Sequence, residues 1–394
     1  MPFEPLILTA YSTVSALGHG RGVALDALLQ GHSGLRRCDY EGADMETWIG
    51  RVDGIEDVVL PTALAPFACR NNRLAALGLE SDGFATAVAA ARARYGAARI
   101  GVFLGTSTSG IEATEQAYRR RGDEGGPLPA DFDYRHTHNT FSVADFTRRY
   151  LGLAGPAQVI STACSSSAKV FAAASRHIRA GWCDAAVVGG VDSLCLTTLY
   201  GFNSLELVSR RPCRPWDAAR DGINIGEAAG FALLEREGEG VRLLGYGESS
   251  DAYHMSTPHP EGEGALRAMQ AALDSAGLAA RQIDYINLHG TATPSNDRAE
   301  DRAVMRLFAG EVPCSSTKGW TGHTLGAAGI TEAIFCALAI EEGFVPGSLN
   351  TEQLDPELFA PIVRTTLRQP VRIVMSNSFG FGGSNCALIL GRPA

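Results

Sequence analysis

Apolar positions along this chain fall into two periods. Some runs are almost continuously apolar or small: Leu6–Ser15, 99–105 and 184–190. That pattern predicts strands covered on both faces. Between them, apolar residues recur at helical spacing over 23–31, 69–94, 141–150, 164–180, 262–276, 297–308 and 326–342. Within 69–94, Gly78 and Gly83 are possible breaks. Residues 283–288, 312–316, 371–376 and 387–390 add short strands, and 228–236 with 241–247 read as a strand pair. Residues 37–65, 119–135 and 205–222 are irregular and polar or Gly-rich, hence loops. Strands alternating with helices predict an α/β protein. Each half runs through a similar strand–loop–helix succession, without a readable sequence repeat.

Composition narrows this picture. The chain has 394 residues, 45% of them hydrophobic. That suffices for a large core, in one large domain or two. The net charge of −9 argues against a bulk nucleic-acid binder, which is normally basic. The nine cysteines are scattered, with no CxxC pair and no zinc spacing. They read as reduced thiols of a cytoplasmic protein, and no metal site is expected. No basic segment followed by an apolar one opens the chain, so no signal peptide is expected. No uncharged apolar run approaches ~18 residues, so no membrane span is expected either.

Four stretches carry candidate chemistry. Cys164 stands where a strand turns into a helix. Val159 and Ile160 read as the end of a buried strand, and small residues follow. The first N–H groups of a helix lack partners, and its positive end favours an anion. That setting predicts a lowered thiol pKa and a nucleophilic thiolate, although plain core burial is the commoner fate of a cysteine. His289 and His323 stand beside glycines near strand ends, where reactive groups gather in α/β sheets. Imidazole there can donate to an oxyanion or handle a proton. Lys318 precedes His323 by five residues, and Glu300 or Glu332 could pair with it to support the histidines. Phe381 lies between glycines, as a tight turn or a mobile ring over a pocket. The Thr/Ser-rich loop 106–110 lacks the Gly-Lys-Ser/Thr ending of a phosphate loop.

The motifs Ser-Thr-Ala-Cys164-Ser-Ser, His289-Gly-Thr-Ala-Thr-Pro, Lys318-Gly-Trp-Thr-Gly-His323 and Ser376-Asn-Ser-Phe-Gly-Phe381-Gly-Gly, in this order and spacing, resemble the elongating β-ketoacyl-acyl carrier protein synthases, types I and II. The likeness runs from the opening strand to about residue 390. It implies the thiolase fold: two similar halves stacked as five αβαβα layers. Residues 1–250 would form the half carrying Cys164, and 251–394 the half carrying both histidines. It implies a decarboxylative Claisen condensation of a Cys-bound acyl chain with malonyl-acyl carrier protein, in fatty-acid or related polyene or polyketide elongation. By the same resemblance, Cys164 takes the acyl chain, and His289 and His323 promote decarboxylation and stabilise the enolate. Lys318 and Glu300 are the supporting pair, with Glu332 beside them. Thr291 and Thr293 bond the pantetheine arm. Phe381 is the gate ring, and the N–H groups of Cys164 and Phe381 form the oxyanion hole.

No covalently bound cofactor is implied; the phosphopantetheine arm of the carrier protein enters with the substrate. The implied partners are acyl carrier protein and a second copy in a homodimer, with a heterodimer as the alternative. An acidic carrier needs a basic patch. Arg70 with Arg73 on one helical face, or the run Arg119, Arg120 and Arg121, would supply it. Three departures stand out. Asp221-Gly-Ile-Asn224 replaces the family's frequent Asp-Gly-Phe-Val, loop 106–110 is rich in Thr and Ser, and Ser165-Ser-Ser167 resembles polyketide ketosynthases without their usual Asp, which is Ser161 here. They suggest the ketosynthase subunit of a specialised heterodimeric pathway as the alternative function. A chain-length-factor partner normally lacks the nucleophile. A Cys–His hydrolase leaves the second histidine unexplained, and a thiolase typically shows a second cysteine in its place.

Overall fold

The structure, a computed structural model, describes residues 3–122 and 125–392. Its strands repeat one layout twice. The first set is β1 (Leu6–Ser15), β2 (Ile100–Gly105), β3 (Ala157–Ile160), β4 (Ala185–Asp192) and β5 (Ala228–Glu235). The second is β6 (Val241–Ser250), β7 (Tyr285–Asn287), β8 (Cys314–Ser315), β9 (Ile373–Gly380) and β10 (Ser384–Gly391). The first is ordered β3-β2-β4-β5-β1 and the second β8-β7-β9-β10-β6. In each set the first three strands of that order run parallel, and the two remaining pairings are antiparallel. Leu6, Ile7 and Leu8 pair with Leu243, Arg242 and Val241 and join the two sets. The halves are therefore equivalent in order and direction, although their sequences show no repeat.

Helices complete five layers. α1 (Arg70–Glu80), α2 (Phe84–Tyr95) and α3 (Ser142–Tyr150) cover the outer face of the first set, and α4 (Ser166–Arg179) lies on its inner face. α5 (Glu263–Ala276) and α6 (Pro294–Phe308) cover the outside of the second set. α7 (Ala328–Glu342) packs beside α4 between the two sets. Every residue of α7 from Ala328 to Ile340 is buried, as a helix sandwiched between sheets requires. Three apolar cores follow from this stacking. Phe171, Ile334 and Phe335 lie in the middle. Phe84, Phe146 and Phe231 fill one outer layer, and Met269, Ile286 and Phe308 the other.

Four expectations change. The segments 228–236 and 241–247 do not pair with each other: β1 lies between β5 and β6 and bonds both. The apolar run of β1 suits that central place. β3 is not buried. It is the end strand with β2 as its one neighbour, so Gln158 is exposed and Val159 and Ile160 are partly so. The helical stretch 69–94 breaks once, at 81–83, where Asp82 takes a left-handed φ of 58°. Gly78 stays inside α1, and its missing side chain serves close packing, since a Cβ there would come within 2.9 Å of the Phe231 ring on β5. The resulting helices have 11 and 12 residues, short of the ~20 that a bilayer needs. Finally, Arg70 is no docking residue. Its side chain is only 9% exposed, bonded to buried Glu227 at 2.6 Å and to Glu56 at 2.7 Å. A buried carboxylate requires such a partner, and Glu227 draws the guanidinium inward. Arg119 and Arg120 are exposed, with Arg120 paired to Asp131.

Candidate active site

Cys164 is set by the turn between β3 and α4. Ala163 takes a left-handed φ of 51°, a strained conformation for a residue with a Cβ. Thr162 N–H donates to Ser166 Oγ at 2.9 Å and closes the turn. Cys164 is 4% exposed and lies two residues before Ser166, the first residue of α4. Its sulfur accepts from the Phe381 backbone N–H and lies 3.0 Å from His323 Nε2. Burial pushes the thiol up to about 11, and the opposing pulls of Lys318 and the Phe381 N–H do not cancel that. The expected lowering is thus reversed, because loss of water around the sulfur outweighs the local charges. A raised pKa leaves the neutral thiol dominant throughout pH 7–9. The thiolate fraction, and hence alkylation of Cys164 by iodoacetamide, should then rise about tenfold per pH unit over that range. A plateau below pH 8 would mean a depressed pKa instead.

Both histidines are held by their backbones. Past the end of β7, the N–H groups of His289 and Gly290 donate to the Glu300 carboxylate, each at 2.8 Å. His323 N–H donates to Asn224 O at 2.7 Å, and its own carbonyl accepts from Gly226 N–H. The rings are buried, 5.4 Å apart and nearly perpendicular. His289 Nδ1 faces Lys318 Nζ at 3.4 Å, and His323 Nδ1 faces the Leu325 N–H at 3.2 Å. An ammonium and a backbone N–H only donate. Each Nδ1 is therefore an acceptor, and each ring carries its proton on Nε2. Burial first, then the charge of Lys318, hold both rings well below the usual imidazole range, so both are neutral. The Cys164 sulfur and one ring nitrogen of each histidine lie within 4.8 Å of one another. That spacing could suit an ion, yet both ring lone pairs already accept N–H bonds. The arrangement instead presents two N–H donors on buried rings, where a developing negative oxygen is strongly stabilised.

The lysine pairing differs from the expected one. Lys318 Nζ bonds Glu332 at 2.5 Å, with both side chains buried. Glu300 does not reach it; it takes the two loop N–H groups and Asn377 Nδ2 at 3.1 Å. α6 carries Glu300 under the His289 loop, whereas α7 carries Glu332 to Lys318. Burial pushes Glu332 up to about 6 and Glu300 up to about 7. Lys318→Ala would strand the Glu332 charge and should cost about 3–5 kcal/mol in urea unfolding. The double change Lys318→Met with Glu332→Leu should recover most of that loss. Equal losses in the two variants would mean that the pair is not the cause.

Cys164 and both histidines open onto one cavity, also lined by Thr291, Thr293 and Phe381. The Thr291 and Thr293 hydroxyls are 2.9 Å apart. Phe381 precedes Gly382 at φ 79°, a turn that a residue with a side chain would strain. Its ring lies 5.5 Å from Phe202. Phe202, Leu207 and Ile223 form apolar wall that motif reading missed. Phe202 and Leu207 sit in segments without useful periodicity; Ile223 gave a signal only as a departure.

Comparison with known proteins adds to this geometry. Residues 63–239 match the family described as "Beta-ketoacyl synthase, N-terminal domain", and 241–352 match "Beta-ketoacyl synthase, C-terminal domain". The chain is 32% identical to 3-oxoacyl-[acyl-carrier-protein] synthase 2 of Vibrio cholerae, over 98% of this chain and 99% of that one. It is 39% identical to the Rhizobium meliloti protein of the same description, over 74% of each. Among solved structures, it superposes with a TM-score of 0.90 on a ketosynthase (ApeO) from Xenorhabdus doucetiae, solved in complex with its chain length factor (ApeC). That match has 39% identity and covers 99% of this chain and 98% of the other. The ishigamide ketosynthase/chain length factor matches at a TM-score of 0.91 and 26% identity, covering 99% of this chain and 100% of the other.

Proposed function

The chain belongs to the β-ketoacyl synthase family, and we propose how its residues divide the work of a 3-oxoacyl-[acyl carrier protein] synthase. It is a condensing acyltransferase with the thiolase fold. The observation that carries the mechanism is the gathering of two neutral imidazoles at the Cys164 sulfur, with a ring nitrogen of each within 4.8 Å and His323 Nε2 at 3.0 Å. Cys164 attacks the thioester of an acyl chain brought on a phosphopantetheine arm. Its S–H proton balances the one gained by the departing pantetheine thiol, so transfer needs no net base. Malonyl-carrier protein then loses carbon dioxide, and the electron pair moves onto its thioester oxygen. His289 and His323 donate to that enolate oxygen. The enolate carbon attacks the Cys164 thioester, whose oxygen is held by the N–H groups of Cys164 and Phe381. Collapse expels the sulfur as a thiolate, and one proton taken up from solvent restores the Cys164 thiol.

Lys318, Glu332 and Glu300 hold the histidines, Thr291 and Thr293 bond the arm, and Phe381 gates the cavity from its place against Phe202. The enzyme works in the cytoplasm as a dimer. The likeness to ketosynthases solved with chain length factors, together with Ile223 and the Thr/Ser-rich loop, favours a heterodimeric, specialised elongation pathway over a homodimer of bulk fatty-acid synthesis. The test is stoichiometry. Purified enzyme given acyl- and malonyl-carrier protein should release one carbon dioxide per 3-ketoacyl product. If the enzyme is silent alone, it should do so with its partner subunit. Release of free acid without condensation would contradict the assignment.

A further inference from the structure

We infer that Asp192 is the positioning residue that fixes the place and tautomer of His323, acting through a strained turn at Leu325. Asp192 ends β4 and is wholly buried. Its carboxylate gathers two segments. From the loop after β2 it accepts the Thr106 hydroxyl at 2.7 Å, the Ser107 N–H at 2.8 Å and the Thr108 N–H and hydroxyl at 3.0 Å each. The Ser107 hydroxyl bonds it as well. From the turn before α7 it accepts the Gly326 N–H at 2.6 Å. One residue earlier, Leu325 takes a left-handed φ of 52°. A branched residue holds that conformation only where its surroundings impose it. The same Leu325 offers its N–H to His323 Nδ1 at 3.2 Å. The carboxylate thus pins the turn, and the turn supplies the single donor that keeps the His323 proton on Nε2.

This also gives the Thr/Ser-rich loop a purpose. A buried carboxylate is stable only when its lone pairs are filled, and Thr106, Ser107 and Thr108 fill them with hydroxyls as well as backbone N–H groups. Glycines at these places would supply only the latter. Asp192 reaches decarboxylation through His323; its charge also adds, as a lesser influence after burial, to the raising of the Cys164 thiol. The inference rests on the role proposed for His323.

The test uses the full-length enzyme with malonyl-carrier protein, and with a small acyl thioester that bypasses the carrier. Asp192→Asn turns a pure acceptor into a group that also donates, facing N–H donors on both sides. Carbon dioxide release should fall about 100-fold, the scale of a small displacement at a catalytic group. Acylation of Cys164 by the small thioester should not slow, because loss of the Asp192 charge removes one of the influences that raise the thiol. In protein labelled with ¹⁵N-histidine, the Nε2–H tautomer signature of His323, identified by its absence in His323→Ala, should be lost. Should Asp192→Asn fail to fold, Gly326→Ala asks the same question, since its Cβ would meet Asp192 Oδ2 at 2.8 Å and push the turn away. A folded variant with parental release, or with reduced release and an unchanged tautomer, overturns the inference. Parental release in His323→Ala would instead overturn the role of His323 itself.

Discussion

Cys164→Ala is expected to lower condensation by on the order of 10⁶-fold, the loss seen when the nucleophile of a covalent mechanism is removed. The sulfur lies within 4.8 Å of a ring nitrogen of each histidine, and among the described residues lining the cavity Cys164 is the one thiol. The loss should be selective. Decarboxylation of malonyl-carrier protein does not pass through the sulfur in this mechanism, and the two Nε2–H donors remain. Carbon dioxide release should therefore continue without product. The substitution is small, and burial of the methyl in place of the thiol suits an apolar site, so the fold should persist. Equal loss of both activities, with normal circular dichroism, would mean that the sulfur has a second role in enolate formation.

His289→Ala and His323→Ala should each slow carbon dioxide release by about 10²–10³-fold, the cost of losing one donor to a developing oxyanion. Because the two donors meet one oxygen, the double variant should lose less than the product of the two single losses. Acyl transfer to Cys164 should suffer far less, since that step needs no net proton acceptor. Burst kinetics with a chromogenic acyl thioester can separate the steps. If either single variant acylates slowly and decarboxylates at the parental rate, that ring belongs to the thiol rather than to the enolate.

Much of this site was readable from residues close in sequence. The apolar runs of β2 and β4 follow directly from burial on both faces, and the strand-to-helix place of Cys164 needed only small residues before a helical period. What the chain hid lies between distant positions. The repeat of strand order across the halves is carried by pairing, not by residue identity. β3 carries the same β-branched residues as a buried strand, but only the sheet order makes it an edge. Glu300 and Glu332 looked interchangeable as partners of Lys318 until the helices placed one under the His289 loop and the other at the ammonium. The thiol was judged by its helix terminus, whereas its burial depends on the whole fold. Asp192 carried no local motif at all, because its donors come from segments 84 to 134 residues away.

The acyl-enzyme itself is the most direct test. Enzyme incubated with acyl-carrier protein, quenched and digested, should show the acyl mass on the peptide containing Cys164 and on no other. Addition of malonyl-carrier protein should remove that mass and return the acyl chain to the carrier, longer by two carbons and bearing a 3-keto group. Acylation at another residue, or a Cys164 adduct that malonyl-carrier protein leaves in place, would contradict the mechanism.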